Sequence, residues 1–206
     1  MSTTTIVISL LGLLLQNLFL IALAQFALQK QALSLSSVGL TRPTIQQVVL
    51  GIALGMGMAF VIFWFGAMEQ HLCQWLLSPT TFQWLTAWTN KASAEQAFKQ
   101  LASPFAMAAF AVLGSVVAPI GEEIFFRGML YTTLKRRTSS GSLIPLIVSA
   151  LLFALMHANP LHLLPLLVMG LMFAIVYERT GSLWIPILMH AVNNGITFVM
   201  LVWFLH

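Results

Sequence analysis

The sequence predicts an all-α polytopic membrane helix bundle, and three observations carry that prediction. The 206 residues are 59% hydrophobic and only 7% charged, against about 25% charge in a typical soluble domain. Too little charge is available to cover a water-facing surface. The apolar residues gather in runs near the length of about 20 that a helix needs to cross a bilayer. The few ionisable and amide groups that interrupt those runs fall at one depth. The chain has no Asp, and two of its five carboxylates, Glu122 and Glu123, are adjacent inside an apolar stretch.

Six transmembrane helices are expected, in one integral membrane domain over 1–206. The first covers about 5–28. Residues 1–5 carry no basic group, so this run reads as a retained span rather than a signal peptide. The second covers about 45–67. Residues 68–103 form the one long connection, expected as an interfacial loop and helix because Trp75, Trp84 and Trp88 sit among polar residues and tryptophan favours the headgroup level. The third span starts at Ser103-Pro104, a cap followed by proline at the first helical position, and runs to about 134. The fourth, about 143–157, is short enough to be tilted or to stop inside the membrane. Asn159-Pro160 separates it from the fifth, about 160–177. The sixth follows Thr180-Gly181-Ser182 and runs to about 205.

Charge orients the bundle. Lys30 and Arg42 flank the first connection, Lys135, Arg136 and Arg137 follow the third span, and Arg179 follows the fifth. Six spans put these connections on one side. The long connection opposite balances Lys91 and Lys99 against Glu69 and Glu95. The positive-inside rule then places both termini outside. Glu178-Arg179 reads as a helix-end pair at the surface. The net charge of +4 fits membrane orientation and gives no reason to expect nucleic acid as a partner. One cysteine, Cys73, excludes an intramolecular disulfide.

Depth singles out the candidate site. Glu122 lies about 20 Å along its helix from Lys135, and His157 lies at a similar depth from the same side. His190 and Asn194 lie about 12 and 18 Å into the last span. A buried charge in hydrocarbon costs roughly 2.5–3.5 kcal/mol or more, and such groups commonly mark function. Glu123 and Arg127 are four residues apart and share a helix face, where they can pair. Glu122 is rotated by roughly 100° from Glu123 and can face elsewhere. Pro119 interrupts the helical ladder just upstream.

Two hydrolytic chemistries fit these residue types. In one, Glu122 helped by His157 takes a proton from water, and His190 and Asn194 donate to the oxyanion. In the other, Glu122, His157 and His190 bind zinc, which activates the water. The helical H-E-x-x-H of soluble zinc proteases is absent. A third reading is a proton- or ion-coupled transporter using the same Glu and His residues. Transporters often show inverted repeats, whereas here the polar groups concentrate in the second half.

The residues also carry a resemblance. Glu122-Glu123-Ile124-Phe125-Phe126-Arg127 matches E-E-x-x-x-R, Phe153 to His157 matches F-x-x-x-H, and His190 to Asn194 matches H-x-x-x-N. In this order, each within an apolar segment, they resemble the CPBP family of CAAX and bacteriocin-processing intramembrane proteases, the CAAX prenyl protease 2-like group. Glu178 to Pro186 is similar to that family as well. The resemblance covers about 104–200, the expected protease core. It implies an intramembrane endopeptidase with Glu122 activating water, His157 as its partner, His190 and Asn194 at the oxyanion, and Glu123 and Arg127 in support. The resemblance implies either a metalloprotease or a glutamate-dependent protease without catalytic metal; the expectation here is the glutamate version without a cofactor, with zinc as the alternative. The implied partner is a membrane-associated protein or peptide. The small size suggests a prokaryotic plasma membrane.

Overall fold

A computed structural model describes residues 3–92, 101, 103–138, 141 and 143–205. Glu95 and Lys99, part of the expected charge balance in the long connection, lie outside them. Seven helices are found among the described residues. Helix α1 is Thr3–Gln29, α2 Ile45–Leu76 and α3 Pro79–Ala92. Helix α4 is the continuous stretch Pro104–Arg137. Helix α5 is Leu143–Met156, α6 is Pro160–Thr180 with a tight first turn over Pro160–His162, and α7 is Trp184–Leu205. Five of them, α1, α2, α4, α6 and α7, are long and apolar enough to cross a membrane. The chain is an integral multi-pass membrane protein.

The fourth expected span keeps to its short form, and the expected end of the second changes. Helix α5 has 14 residues and extends about 21 Å, short of the roughly 30 Å of a hydrocarbon core. It ends beside the polar layer rather than beyond it. Helix α2 continues to Leu76, so the second span does not stop near residue 67 and Glu69 is not a loop charge. Its side chain is buried inside the bundle. The long connection keeps a helix, α3, whose Trp84 and Trp88 are exposed one turn apart.

Local chemistry fixes the helix ends. Thr44 opens α2 with a reciprocal cap: its hydroxyl accepts from the Gln47 N–H at 3.2 Å, and the Gln47 side chain accepts from the Thr44 N–H at 3.0 Å. Ser103 caps α4 with Pro104 at its first turn. Gly181, at φ +64°, ends α6 in the left-handed conformation that glycine adopts without strain.

Close approaches hold the helices together. Gly51 and Gly55 give α2 a G-x-x-x-G face against α7. A Cβ built on them would stand 2.7 Å from the Leu188 Cβ and 2.8 Å from the Val192 Cβ. Membrane helices lack a hydrophobic force between them, so small residues that let backbones approach take its place. Gly170 on α6 packs likewise on Ala150 of α5. Outer faces stay apolar: Leu15, Phe19, Phe60, Phe63 and Val199 are among the exposed hydrophobics.

The basic connections gather at one end. Lys135 of α4 pairs with Glu178 of α6 at 2.6 Å, which corrects the expected pairing of Glu178 with its neighbour Arg179. The loop before α2 docks on the same end. Leu183 N–H donates to the Gly39 carbonyl at 3.2 Å, Tyr177 donates to the Val38 carbonyl at 2.9 Å, and the Trp184 indole donates to the Thr41 carbonyl.

Candidate active site

The site begins with a distorted helix. Pro119 has no N–H to give the α4 ladder, and π-helical turns flank it over Leu113–Val117 and Ile124–Tyr131. Such turns widen a helix and recur at functional positions. Glu122 and Glu123 lie between them and point apart.

Glu123 faces the dry core. Its Oε1 accepts from Arg127 Nη1 at 2.8 Å and from His190 Nδ1 at 3.0 Å. Both charged side chains are fully buried. Arg127 Nη2 donates to the Gly170 carbonyl at 2.9 Å. Its guanidinium lies 4.7 Å from the Phe153 ring centre and 5.0 Å from that of Phe173, where the negative ring faces offset part of its desolvation. One arginine therefore joins α4, α5 and α6.

Glu122 faces the two histidines. Its Oε2 lies 3.9 Å from His157 Nε2 and 4.0 Å from His190 Nε2. That oxygen is buried and has no hydrogen-bond partner among the described residues. Both imidazoles are held through the other nitrogen. His157 Nδ1 is 2.8 Å from the Phe153 carbonyl, and His190 Nδ1 meets Glu123. Those oxygens only accept, so each Nδ1 donates and each Nε2 is left for Glu122 and whatever lies between. His190 also stacks on Phe173, with ring centres 5.0 Å apart.

Asn194 is one turn further along α7. Its Nδ2 donates to the Gly114 carbonyl at 3.0 Å, inside the first π-helical turn. Asn193 Nδ2 lies 3.4 Å from Asn194 Oδ1 and orients that amide. The structure thus brings Glu122, His157 and His190 around one point, places Glu123 and Arg127 behind them, and holds Asn194 against α4. His157 is a helix-end residue, and its side chain is 29% exposed.

Two residues escaped the sequence reading. Asn17 of α1 is fully buried, with Oδ1 against Gly121. Glu69 accepts from the Leu164 N–H at 3.0 Å. The signal for each was a lone polar residue within an apolar helix; for Glu69 it was hidden by ending the helix too early.

A carboxylate with two imidazoles is a donor set that zinc accepts. Ligand atoms about 2.0–2.2 Å from a tetrahedral zinc stand roughly 3.3–3.5 Å apart. The separations of 3.9 and 4.0 Å are wider. No group of three His, Cys, Asp or Glu among the described residues is spaced to hold a metal ion. As placed, these side chains do not fit zinc.

Comparison with known proteins bears on the same region. Residues 104–196 match the family model described as type II CAAX prenyl endopeptidase Rce1-like. A stretch of 92 residues is 35% identical to the putative membrane peptidase YdiL of Bacillus subtilis (strain 168), covering 43% of this chain and 36% of that relative. The match therefore spans about a third of the relative's length. No solved structure matches. The matched region includes all three motifs, and their residues meet across three helices; residues 104–196 of the chain are thus similar to the CAAX-type prenyl endopeptidases.

Proposed function

We propose that this protein is an intramembrane endopeptidase that hydrolyses a peptide bond of a membrane-associated protein or peptide at Glu122. One observation carries the proposal: the buried, unpartnered Oε2 of Glu122 lies 3.9 and 4.0 Å from two imidazole nitrogens. Two hydrogen bonds of about 2.8 Å meeting near a right angle span about 4 Å. Each separation is thus the reach of one water molecule.

The reaction follows from the groups present. Water between Glu122 and His157 gives a proton to the Glu122 carboxylate as its oxygen attacks the substrate carbonyl carbon. The C–O bond forms and the carbonyl oxygen becomes an oxyanion. His190, already donating from Nδ1 to Glu123, donates from Nε2 to that oxyanion as an imidazolium. Glu122 and Glu123, one beside each nitrogen of His190, supply the charge that balances it. The amide of Asn194 has a second N–H beyond the one on Gly114 and adds to the oxyanion site. Collapse breaks the C–N bond, and Glu122 passes its proton to the leaving amine. No step draws on a metal.

The test uses purified full-length protein in detergent or vesicles with a fluorogenic membrane-anchored peptide ending in a CAAX-like sequence. Glu122→Gln is expected to lower kcat by about 10²–10⁴-fold, the usual contribution of a positioned base. His190→Ala is expected to lose roughly 10²–10³-fold, as for other oxyanion donors. Hydrolysis that survives Glu122→Gln, His157→Ala and His190→Ala refutes the proposal. A chelator such as EDTA or phenanthroline is expected to leave the rate unchanged. Stoichiometric zinc whose removal abolishes activity replaces the glutamate mechanism with a metal one.

A further inference from the structure

The turn between α5 and α6 begins at His157, whose ring and N–H bond back to α5 at Phe153 and Ala154. Residues 157–162 connect the two helices through two short turns: His157 N–H reaches the Ala154 carbonyl at 3.3 Å, Ala158 N–H that of Leu155 at 3.0 Å, and His162 N–H that of Asn159 at 3.2 Å. Ala158 sits at φ +48°, a left-handed conformation that a residue with a Cβ keeps only when its surroundings impose it. The α-helical part of α6, Leu163–Thr180, has His162 before it, and that side chain caps no N–H. The first N–H groups of a helix need a partner when buried.

The partner comes from another span. Glu69 of α2 is buried, and its Oε1 accepts from the Leu164 N–H at 3.0 Å. A carboxylate here also meets the positive end of the helix dipole. Its Oε2 is buried with no partner among the described residues, and so is Oδ1 of Asn159 in the same turn. A chain this poor in acid thus spends one of its carboxylates where α2 meets the turn that carries His157.

We infer that Glu69 is a positioning residue for His157: by capping α6 from α2, it fixes the α5–α6 turn and so sets where His157 Nε2 stands relative to Glu122. The inference rests on the proposed role of His157 for its consequence in catalysis, but its structural half stands apart from that reading. Loss of the cap frees the turn, and His157 moves away from the water it shares with Glu122. Misplacement by about 1 Å costs up to 10²-fold in rate. Peptide binding elsewhere in the site is untouched, so kcat falls while KM holds.

The experiment labels the histidines of the full chain with ¹³C and reads their ring signals by NMR in detergent micelles. His157→Ala identifies the His157 signal by its loss. Glu69→Ala is expected to move that signal to the position of a free imidazole, and Glu69→Gln, which keeps an acceptor oxygen, is expected to leave it in place. In hydrolysis, Glu69→Ala should lower kcat by about ten-fold or more with KM within about two-fold, and Glu69→Gln should restore most of it. Should Glu69→Ala fail to fold, Glu69→Asp keeps the charge but is one methylene too short, and it is expected to move the signal as well. An unmoved His157 signal in a folded Glu69→Ala or Glu69→Asp protein overturns the inference, whatever the activity. A wild-type protein that cleaves nothing overturns the proposed function alone, because the NMR reading still decides the role of Glu69.

Discussion

At the scale of residues, the site depends on a charge that never reaches water. Arg127 is fully buried, divides its guanidinium between Glu123 and the Gly170 carbonyl, and lies against Phe153 and Phe173. Removing one partner of such a pair leaves the other charge buried alone, at a cost of about 3–5 kcal/mol. Arg127→Ala is therefore expected to destabilise the protein by about that much, read as a lower unfolding midpoint in detergent. Arg127→Lys keeps the charge but not the planar fork or the ring contacts, and its midpoint should fall between the two. The double change Glu123→Gln with Arg127→Met should cost less than the sum of the single changes, because neither leaves a lone charge. The pairing of Glu123 with Arg127 could be read from their spacing, since four residues on one helix share a face. The bond from His190 to Glu123 could not. It joins α7 to α4, and nothing in the local pattern of either helix says which histidine nitrogen meets which carboxylate.

At the scale of elements, proline and glycine decide what the helices do. Pro119 was legible as a break, because its missing N–H is a property of the residue itself. The response to it, a π-helical turn on either side, depends on neighbours such as Asn194, which bonds the Gly114 carbonyl. Pro119→Ala restores a donor to the ladder and is expected to keep or raise stability while turning Glu122 away from the histidines. Activity should fall as the unfolding midpoint holds or rises. Helix α2 provides a cleaner comparison. Gly51, Gly55, Gly57 and Gly66 look alike in the sequence, but only the first two meet α7; a Cβ on Gly57 or Gly66 would touch nothing within 4 Å. Gly55→Ala pushes a methyl group to 3.0 Å from the Met189 backbone and 2.8 Å from the Val192 Cβ, and overpacking of this kind costs about 1–3 kcal/mol. Gly57→Ala should instead gain about 0.5–1 kcal/mol from the helical preference of alanine. Paired thermal melts measure both, and equal shifts for the two variants would mean that α2 and α7 do not pack through this face.

At the scale of the molecule, hydropathy located the spans but could not tell a crossing helix from one that stops. Leu143–Met156 is apolar but for Ser149, and it ends where the turn into Pro160 begins. The grouping of the basic connections at one end was more legible, because they follow alternate apolar spans. The pairing of Lys135 with Glu178 and the docking of the 30–44 loop on the start of α7 do place those connections at one end. The positive-inside rule assigns that end to the cytoplasm, and α2 then runs from the cytoplasmic face to the outer one. Single cysteines test this in a Cys73→Ser background. Ser36 and Gln74 are both exposed, at opposite ends of the path through α2. A membrane-impermeant maleimide added to intact cells is expected to label Gln74→Cys and to spare Ser36→Cys until the membrane is opened. The reverse pattern would invert the whole bundle, and labelling of both in intact cells would mean that α2 does not cross.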